Sequence, residues 1–295
     1  MLTGIAAGLA AGALWGLVFV VPRIVPGYSA VDLTAGRFVA YGAVAALFMV
    51  FVFRGRALPT PHQALAALGM SVLGFTGYYL LLALAIRDAG TEVPTLIIGT
   101  IPLWVMLLGK PEHLRWKALA PGLVLTVAGL ALMSGVAQGA DTAGISFWRG
   151  VGLAAGAMAS WTAFAIVNAA WLRRHPEVQV TDWANWLGVA TGLGALGLFA
   201  TLGSEQKVLL AHADWSLFAM VCIVTGIGSS WLATVLWNMA SRRLSPSLCG
   251  QLIVSETLFA LLYSFAWDGH WPTPGQWLAA ILFTLGILAS IKAHQ

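Results

Sequence analysis

The chain has 295 residues, of which 59% are hydrophobic and only 9% are charged. Soluble globular proteins carry about 25% charged residues, so this composition excludes a soluble domain and indicates a protein solvated by lipid. The net charge of +4 is spread over short segments between apolar runs, which argues against a nucleic-acid partner and is typical of loops between membrane spans.

Apolar runs of about 20 residues predict ten transmembrane helices. The runs are separated by short segments with turn-forming or charged residues, such as Arg54–Pro59 and His270–Pro274. The predicted spans are 3–21, 31–53, 64–86, 92–109, 118–136, 149–171, 183–202, 216–240, 246–267 and 275–292. We therefore expect an all-α polytopic protein whose main surroundings are the lipid bilayer.

The positions of Lys and Arg predict how these helices are oriented. With a cytoplasmic N-terminus, ten basic residues fall on the cytoplasmic side and five on the other, as the positive-inside rule requires. The ten are Arg54, Arg56, Lys110, Arg115, Lys117, Arg173, Arg174, Arg242, Arg243 and Lys292. Because the number of helices is even, both termini are expected in the cytoplasm.

Parts of the sequence occur twice. The segment Gly8–Ala13 of the first predicted helix recurs as Gly152–Ala157 in the sixth. The segment 74–109 aligns with 229–264 without gaps. Each half then contains five helices, and an odd number makes the second half enter the membrane in the opposite sense.

The repeat divides the chain at a boundary between the fifth and sixth predicted helices. Its two units are predicted at 1–138 and 146–295. The alignment places Arg87 on Arg242 and brings the Gly129 region near Gly286. In an inverted repeat of this kind, substrate sites lie between two halves that rock to alternate access.

Three short motifs mark the first half. The first helix has a Trp-Gly pair within Leu14–Val20, the second an Arg-Phe pair within Thr34–Phe38, and the fourth a proline within Ile101–Trp104. These motifs resemble the EamA domain of the drug/metabolite transporter superfamily, and the likeness extends over the whole chain as two five-helix units. Glu112 matches the acidic residue that follows the fourth helix in this family.

The resemblance carries expectations about function. The chain is similar to the YddG group of amino-acid exporters, which implies alternating-access export of neutral and aromatic amino acids from a bacterial cell through its inner membrane. It implies a small-molecule substrate, no cofactor, and a monomer or homodimer. The second half departs from the pattern, since it lacks the Trp-Gly pair and has Thr257 where the first half has Pro102.

Small residues recur at four-residue spacing in the first and sixth predicted helices. This spacing lets helix backbones approach closely, either as static packing or as smooth faces that slide during transport. The two stripes are Gly4, Gly8, Gly12 and Gly16 in the first helix, and Gly152, Gly156 and Ser160 in the sixth.

Polar and aromatic side chains share faces on the first, third, sixth, eighth and ninth helices. Each polar group alone is explained by a hydrogen bond between helices. Together they favour a central cavity in which aromatic rings contact the substrate. The predicted substrate-binding residues are Trp15, Tyr78, Tyr79, Trp161, Asn168, Thr234, Trp237, Asn238, Gln251 and Ser255.

Glu256 is the carboxylate predicted deepest within a span. A charge at this depth marks a functional site by default, here a proton carrier or the partner of a cationic substrate, and the alternative is a structural hydrogen bond. Arg37 is the other inner charge, and we expect it to reach the membrane surface or to pair with Asp32.

Other functions remain open from the residues. The chain is alternatively a transporter of other solutes, such as cationic drugs or nucleotide sugars, or a passive channel. An enzyme is not expected, because the sequence has no His-Glu-x-x-His or Gly-x-Ser-x-Gly motif and no cluster suited to a metal. An ATP-driven pump is not expected either, since no phosphate-binding Gly-x-x-x-x-Gly-Lys motif occurs.

Overall fold

The computed structural model describes residues 1–52, 58–90, 92–112, 114–134, 145–211, 214–269 and 271–295. Within these ranges the regular structure is helical and no strand occurs. A short helix, Gln206–Ala211, separates the seventh and eighth long helices. The long helices are α1 (Leu2–Ile24), α2 (Ala30–Phe51), α3 (Pro61–Ala89), α4 (Val93–Leu108), α5 (Trp116–Leu132), α6 (Ser146–Arg174), α7 (Val180–Leu202), α8 (Trp215–Arg243), α9 (Pro246–Trp267) and α10 (Pro274–Ala293).

Each predicted span coincides with one of these helices. Eight of the ten are long and apolar enough to cross a bilayer, while α4 and α5 are shorter apolar helices, so the polytopic α-helical fold is confirmed over the described residues. The ends differ by a few residues, mainly because α1, α3, α6 and α8 extend beyond their apolar runs. The inner charges predicted at Arg54 and Arg56 and the unit boundary at 138 lie outside the described residues.

The helices begin where the sequence supplies capping groups. Thr60 and Thr273 each accept a hydrogen bond from the backbone N–H three residues on, and the side-chain oxygens of Gln63 and Gln276 accept one from the backbone N–H of the capping threonine. Proline follows each of these threonines at the first helical position, where its missing N–H has no partner to lose. These local signals explain why α3 and α10 start within a few residues of the predicted positions.

The packing of the helices repeats between the two halves. Helix α1 packs against α8 and α9, and α6 packs correspondingly against α3 and α4. Further large contacts join α2 to α7, α5 to α10 and α4 to α9, and α2 to α8 as well as α3 to α7. Exchanging the halves leaves this set unchanged, as an inverted repeat with a two-fold axis requires.

Contacts near this axis are reciprocal. A Cβ atom placed on Gly42 of α2 would lie 2.7 Å from the Cα of Gly192 in α7, and one on Gly192 would lie 2.8 Å from the Cα of Gly42. Reciprocal contacts of this kind are the signature of a two-fold interface. A side chain at either glycine would force α2 and α7 apart.

Two π-helical turns mark equivalent points of α3 and α8. One spans Val72–Thr76 and the other Gly226–Leu232. They overlap when residue 74 is laid on residue 229, as in the alignment of the two halves. Such turns interrupt the regular ladder of backbone hydrogen bonds and often occur at functional sites.

The two ends of the bundle differ in how tightly they are closed. The terminal face is the end that holds both chain termini, and the opposite face is the end that holds the α1–α2 and α3–α4 connections. Toward the terminal face, Leu172, Trp183 and Leu248 are buried, and the Ser247 N–H donates to the Gly109 carbonyl at 3.1 Å. Interior side chains toward the opposite face keep accessible surface, as described below.

Candidate functional site

Three tryptophans from different helices meet in the centre of the bundle. The ring centroids of Trp15 (α1) and Trp237 (α8) are 5.4 Å apart, those of Trp161 (α6) and Trp237 are 6.0 Å apart, and those of Trp15 and Trp161 are 6.3 Å apart. Phe164 adjoins Trp161 at 5.9 Å. We call Trp15, Trp161 and Trp237 the tryptophan cluster. All three were predicted as substrate-binding residues, and the structure brings them together.

The tryptophan cluster is open on one side only. Trp237 is 1% exposed, whereas Trp15 and Trp161 are partly accessible, as is Tyr78 beside them. Trp15 and Tyr78 lie in the half of the bundle nearer the opposite face, Trp161 lies at the middle of α6, and the buried Trp237 lies nearer the terminal face. Solvent therefore reaches the cluster from the opposite face.

Two asparagines lie on the terminal side of the tryptophan cluster. The Asn168 amide donates to the Asn238 side-chain oxygen at 3.1 Å, and the Trp183 indole N–H donates to the Asn168 oxygen at 2.7 Å. All three side chains are fully buried. Among the described residues, the Asn238 amide nitrogen and the Trp237 indole nitrogen have no hydrogen-bond partner. Two hydrogen-bond donors are therefore unused on the terminal side of the tryptophan cluster.

Thr234 lies one helical turn from Asn238 on α8, toward the opposite face. It is buried, and its hydroxyl faces Tyr41 of α2. The Tyr41 hydroxyl donates to the Ala184 carbonyl of α7 at 2.7 Å, which ties these two helices together. Thr234 thus borders the central region, beside the crossing of α2, α7 and α8.

Gln251 and Ser255, on α9, use their polar groups in contacts between and within helices. The Gln251 side chain donates to the Thr126 hydroxyl at 3.0 Å and accepts from the Ser290 hydroxyl at 3.1 Å, so it joins α5, α9 and α10. Ser255 donates to the Leu252 carbonyl at 2.7 Å and lies directly against Gly12. These contacts are the packing role that the sequence left open.

Glu256 and two tyrosines lie on the accessible side of the cavity. Glu256 (α9) and Tyr78 (α3) are partly accessible and interact electrostatically. The neighbouring Tyr79 hydroxyl donates to the Ala30 carbonyl at 2.6 Å, which holds α3 against the start of α2. Of the predicted residues here, Tyr78 and Glu256 keep accessible surface, while Tyr79 has a structural hydrogen bond.

Arg37 is an inner charge that the sequence pointed to but did not include among the predicted substrate-binding residues. The expected pairing with Asp32 is wrong, because the Asp32 carboxylate accepts from Ser29 at 2.6 Å and from the Ser204 backbone and hydroxyl at 2.9 and 2.7 Å. The charge of Arg37 instead interacts with that of Glu256 and with both tyrosines. The available signal was the basic residue in the second turn of a span, but its partner is set by helices distant in sequence.

The arrangement suits a small organic solute. Indole rings offer an apolar surface and favourable contact with a cationic group. Amide groups lie on one side of these rings, and one charge of each sign lies on the other. Among the described residues, no group of three His, Cys, Asp or Glu side chains is placed to hold a metal ion.

Known proteins match the whole length of the chain. The EamA-like transporter family matches residues 2–135 and 148–291. The inner membrane protein YtfF of Escherichia coli (strain K12) is 31% identical, over 99% of this chain and 96% of that protein. The uncharacterized transporter YwfM of Bacillus subtilis (strain 168) is 26% identical, over 97% of this chain and 93% of that protein.

A solved crystal structure has the same fold. It superposes on 99% of this chain and on 97% of its own length, with a TM-score of 0.79. The two sequences are 19% identical, so the likeness concerns the fold alone. The ten-helix architecture is therefore found in a crystal as well as in the chain described here.

Proposed function

The chain belongs to the EamA-like transporter family of the drug/metabolite transporter superfamily, and we propose that it exports neutral amino acids, including aromatic ones. The observation that carries this proposal is the tryptophan cluster at the end of a cavity that is accessible from one face only. Indole rings of this number and spacing suit an aromatic or other apolar side chain. The chain is thus a multi-pass membrane protein whose interior carries an aromatic cluster.

Alternating access is supported by the difference between the two faces. A site that is sealed toward the terminal face and accessible from the opposite face corresponds to one of the two states of such a transporter. The inverted repeat supplies the second state, because exchanging the conformations of the two halves would seal the other face. A passive channel would instead need a path open at both faces.

The orientation of the protein and the membrane that holds it are inferred from the distribution of charge and from a relative. We propose that both termini lie in the cytoplasm, since this places ten of the fifteen basic residues inside. The accessible face is then extracytoplasmic. The name of the related YtfF supports placement in a bacterial inner membrane.

A second candidate substrate class is organic cations. Glu256 on the accessible side and the indole rings beside it would both favour a positive charge. Arg37 opposes this reading, because its positive charge interacts with the same carboxylate. A neutral amino acid carries an ammonium group and a carboxylate, so it is compatible with both Glu256 and Arg37.

The test is uptake by the purified protein in liposomes. The panel contains radiolabelled tryptophan, phenylalanine and alanine, a quaternary ammonium cation and a nucleotide sugar, each with and without a pH gradient. We expect amino-acid uptake above that of protein-free liposomes, and a dependence on the pH gradient if Glu256 carries a proton. Uptake of the cation alone would favour the second candidate, and uptake of none of these solutes would contradict both.

A further inference from the structure

We propose that Arg37 and Glu256 form a two-ended clamp for a zwitterion, in which Arg37 receives the carboxylate of the substrate and Glu256 receives its ammonium group. The inference rests on the proposed function and names the residues that select its substrate class. The clamp lies on the accessible side of the tryptophan cluster, so that the side chain of the bound substrate would extend onto the indole rings.

The first observation is that two opposite charges inside the membrane span interact without pairing. The charges of Arg37 and Glu256 act on each other. Within the described residues, neither forms an ion pair at 4.0 Å or less. Charges inside a membrane are costly unless they are paired or lie in a water-filled cavity with a function. Each charge is therefore left without an ion-pair partner from the described residues, which suits a ligand that carries both complementary charges.

The second observation is that Arg37 has an unused donor in a buried position. Its Nε atom is buried and has no hydrogen-bond partner among the described residues, and its guanidinium carbon lies 4.9 Å from the centre of the Phe38 ring. Asp32, the nearest acidic residue in sequence, already accepts from Ser29 and Ser204. An arginine binds a carboxylate best through two parallel N–H groups. The unpartnered Nε therefore suits a carboxylate from outside the chain.

The third observation is that the backbones of both residues are held by close glycine contacts. A Cβ atom on Gly226 of α8 would lie 2.9 Å from the Arg37 carbonyl oxygen. A Cβ atom on Gly12 or Gly16 of α1 would lie 3.2 Å from the Glu256 backbone nitrogen or oxygen, respectively. Binding sites act best when their groups are fixed before the ligand arrives.

The same contacts set the distance from the clamp to the tryptophan cluster. Trp15 lies between Gly12 and Gly16 in sequence, on the helix that touches the Glu256 backbone. An ammonium group at Glu256 would therefore lie beside the first indole ring. Tyr78 is partly accessible and interacts electrostatically with both Arg37 and Glu256.

The test compares three ligands that share one indole ring. Tryptophan has both charged groups, tryptamine lacks the carboxylate, and indole-3-propionate lacks the ammonium group. Binding of each is measured by calorimetry on detergent-purified wild type, Arg37→Gln and Glu256→Gln. Arg115→Gln and Glu205→Gln, at exposed positions, are the matched controls.

The clamp predicts that each variant loses affinity only for ligands that carry the missing partner. Arg37→Gln should weaken the binding of tryptophan about tenfold or more. It should leave the affinity for tryptamine within about twofold of the wild-type value. Glu256→Gln should weaken the binding of tryptophan to a similar extent and leave the affinity for indole-3-propionate nearly unchanged. Arg37→Lys keeps the charge without the two-pronged geometry and should weaken tryptophan more than tryptamine, which keeps the test available if Arg37→Gln does not fold.

The outcomes separate the clamp from the proposed function. If Arg37→Gln weakens tryptophan and tryptamine equally, or neither, the clamp is wrong while amino-acid transport by the wild type would still stand. If wild type binds tryptamine alone, the clamp is wrong and organic cations become the substrate class. If the wild type neither binds nor transports any of the three, both the clamp and the proposed function are contradicted.

Discussion

The two faces of the bundle carry repeat-related arginines in different surroundings. At the terminal face, the Arg242 guanidinium donates to the Val178 carbonyl at 2.5 Å and to the His175 carbonyl at 3.4 Å, which ties α8 to the α6–α7 connection. At the opposite face, 62% of the Arg87 side chain is exposed, and its ion pair is with the adjacent Asp88 at 3.6 Å. The same residue type at the same point of each half is thus engaged at one face and released at the other.

The glycine stripes show the same difference. Cβ atoms on Gly4 and Gly8 would lie within 3.0 Å of Leu244 and Leu252 side chains, so α1 is closely packed toward the terminal face. A Cβ atom on Gly152, at the corresponding part of α6, would have no atom of another described helix within 4 Å. The difference between the faces is therefore one of conformation, since both halves carry residues that allow close contact.

The largest expected effect comes from filling the tight stripe. Gly12→Leu should destabilise the protein by about 1–3 kcal/mol or more, because a side chain there meets Ser255 and the Glu256 backbone. Thermal unfolding in detergent measures this. Gly152→Leu is the matched control and should leave the melting temperature nearly unchanged while it slows transport, since closure of the opposite face would need that space. Equal losses of stability would remove the contrast between the stripes.

A smaller effect is expected when one hydrogen bond is removed on the terminal side or on the opposite side of the bundle. Asn168→Ala leaves the buried Trp183 indole N–H without its acceptor and should cost about 1–3 kcal/mol. Tyr79→Phe removes a partly accessible hydrogen bond to Ala30 and should cost about 0.5–1.5 kcal/mol. Denaturation midpoints of the two variants, measured side by side, check the order. A larger loss for Tyr79→Phe would contradict the closure of the terminal side.

The smallest expected effect concerns the engaged arginine. Arg242→Gln should raise the rate of maleimide labelling at Cys249, which is buried near the terminal face, by about fivefold, because losing a hydrogen bond at the partly buried Arg242 costs about 1 kcal/mol. The experiment uses a Cys222→Ser background. Arg87→Gln should change this rate little, because Arg87 does not close the face in this state. Equal rates in both variants would show that Arg242 is not part of the closure.

Local signals made much of the fold predictable. Apolar runs located the helices, and the alignment of 74–109 with 229–264 relates the two π-helical turns that the structure shows in α3 and α8. The site was harder, because a helix buried on several sides has more than one interior face. Gln251 lies on such a helix, and its amide joins α5 and α10 rather than the tryptophan cluster.

Other features depend on contacts that sequence spacing does not specify. The partner of Arg37 is on α9, far along the chain, so the charge alone suggested the nearer Asp32. The open and closed faces were not predictable either. Arg87 and Arg242 occupy equivalent positions, and only the packing of the two halves distinguishes them.

Counterflow of tryptophan tests the central claim most directly. Liposomes that contain the protein are loaded with unlabelled tryptophan and diluted into labelled tryptophan. An alternating-access transporter should accumulate the label transiently above equilibrium, and Trp237→Ala should abolish this overshoot by removing one wall of the tryptophan cluster. Equilibration of the label without an overshoot would indicate a channel, and an unchanged overshoot in Trp237→Ala would contradict the site.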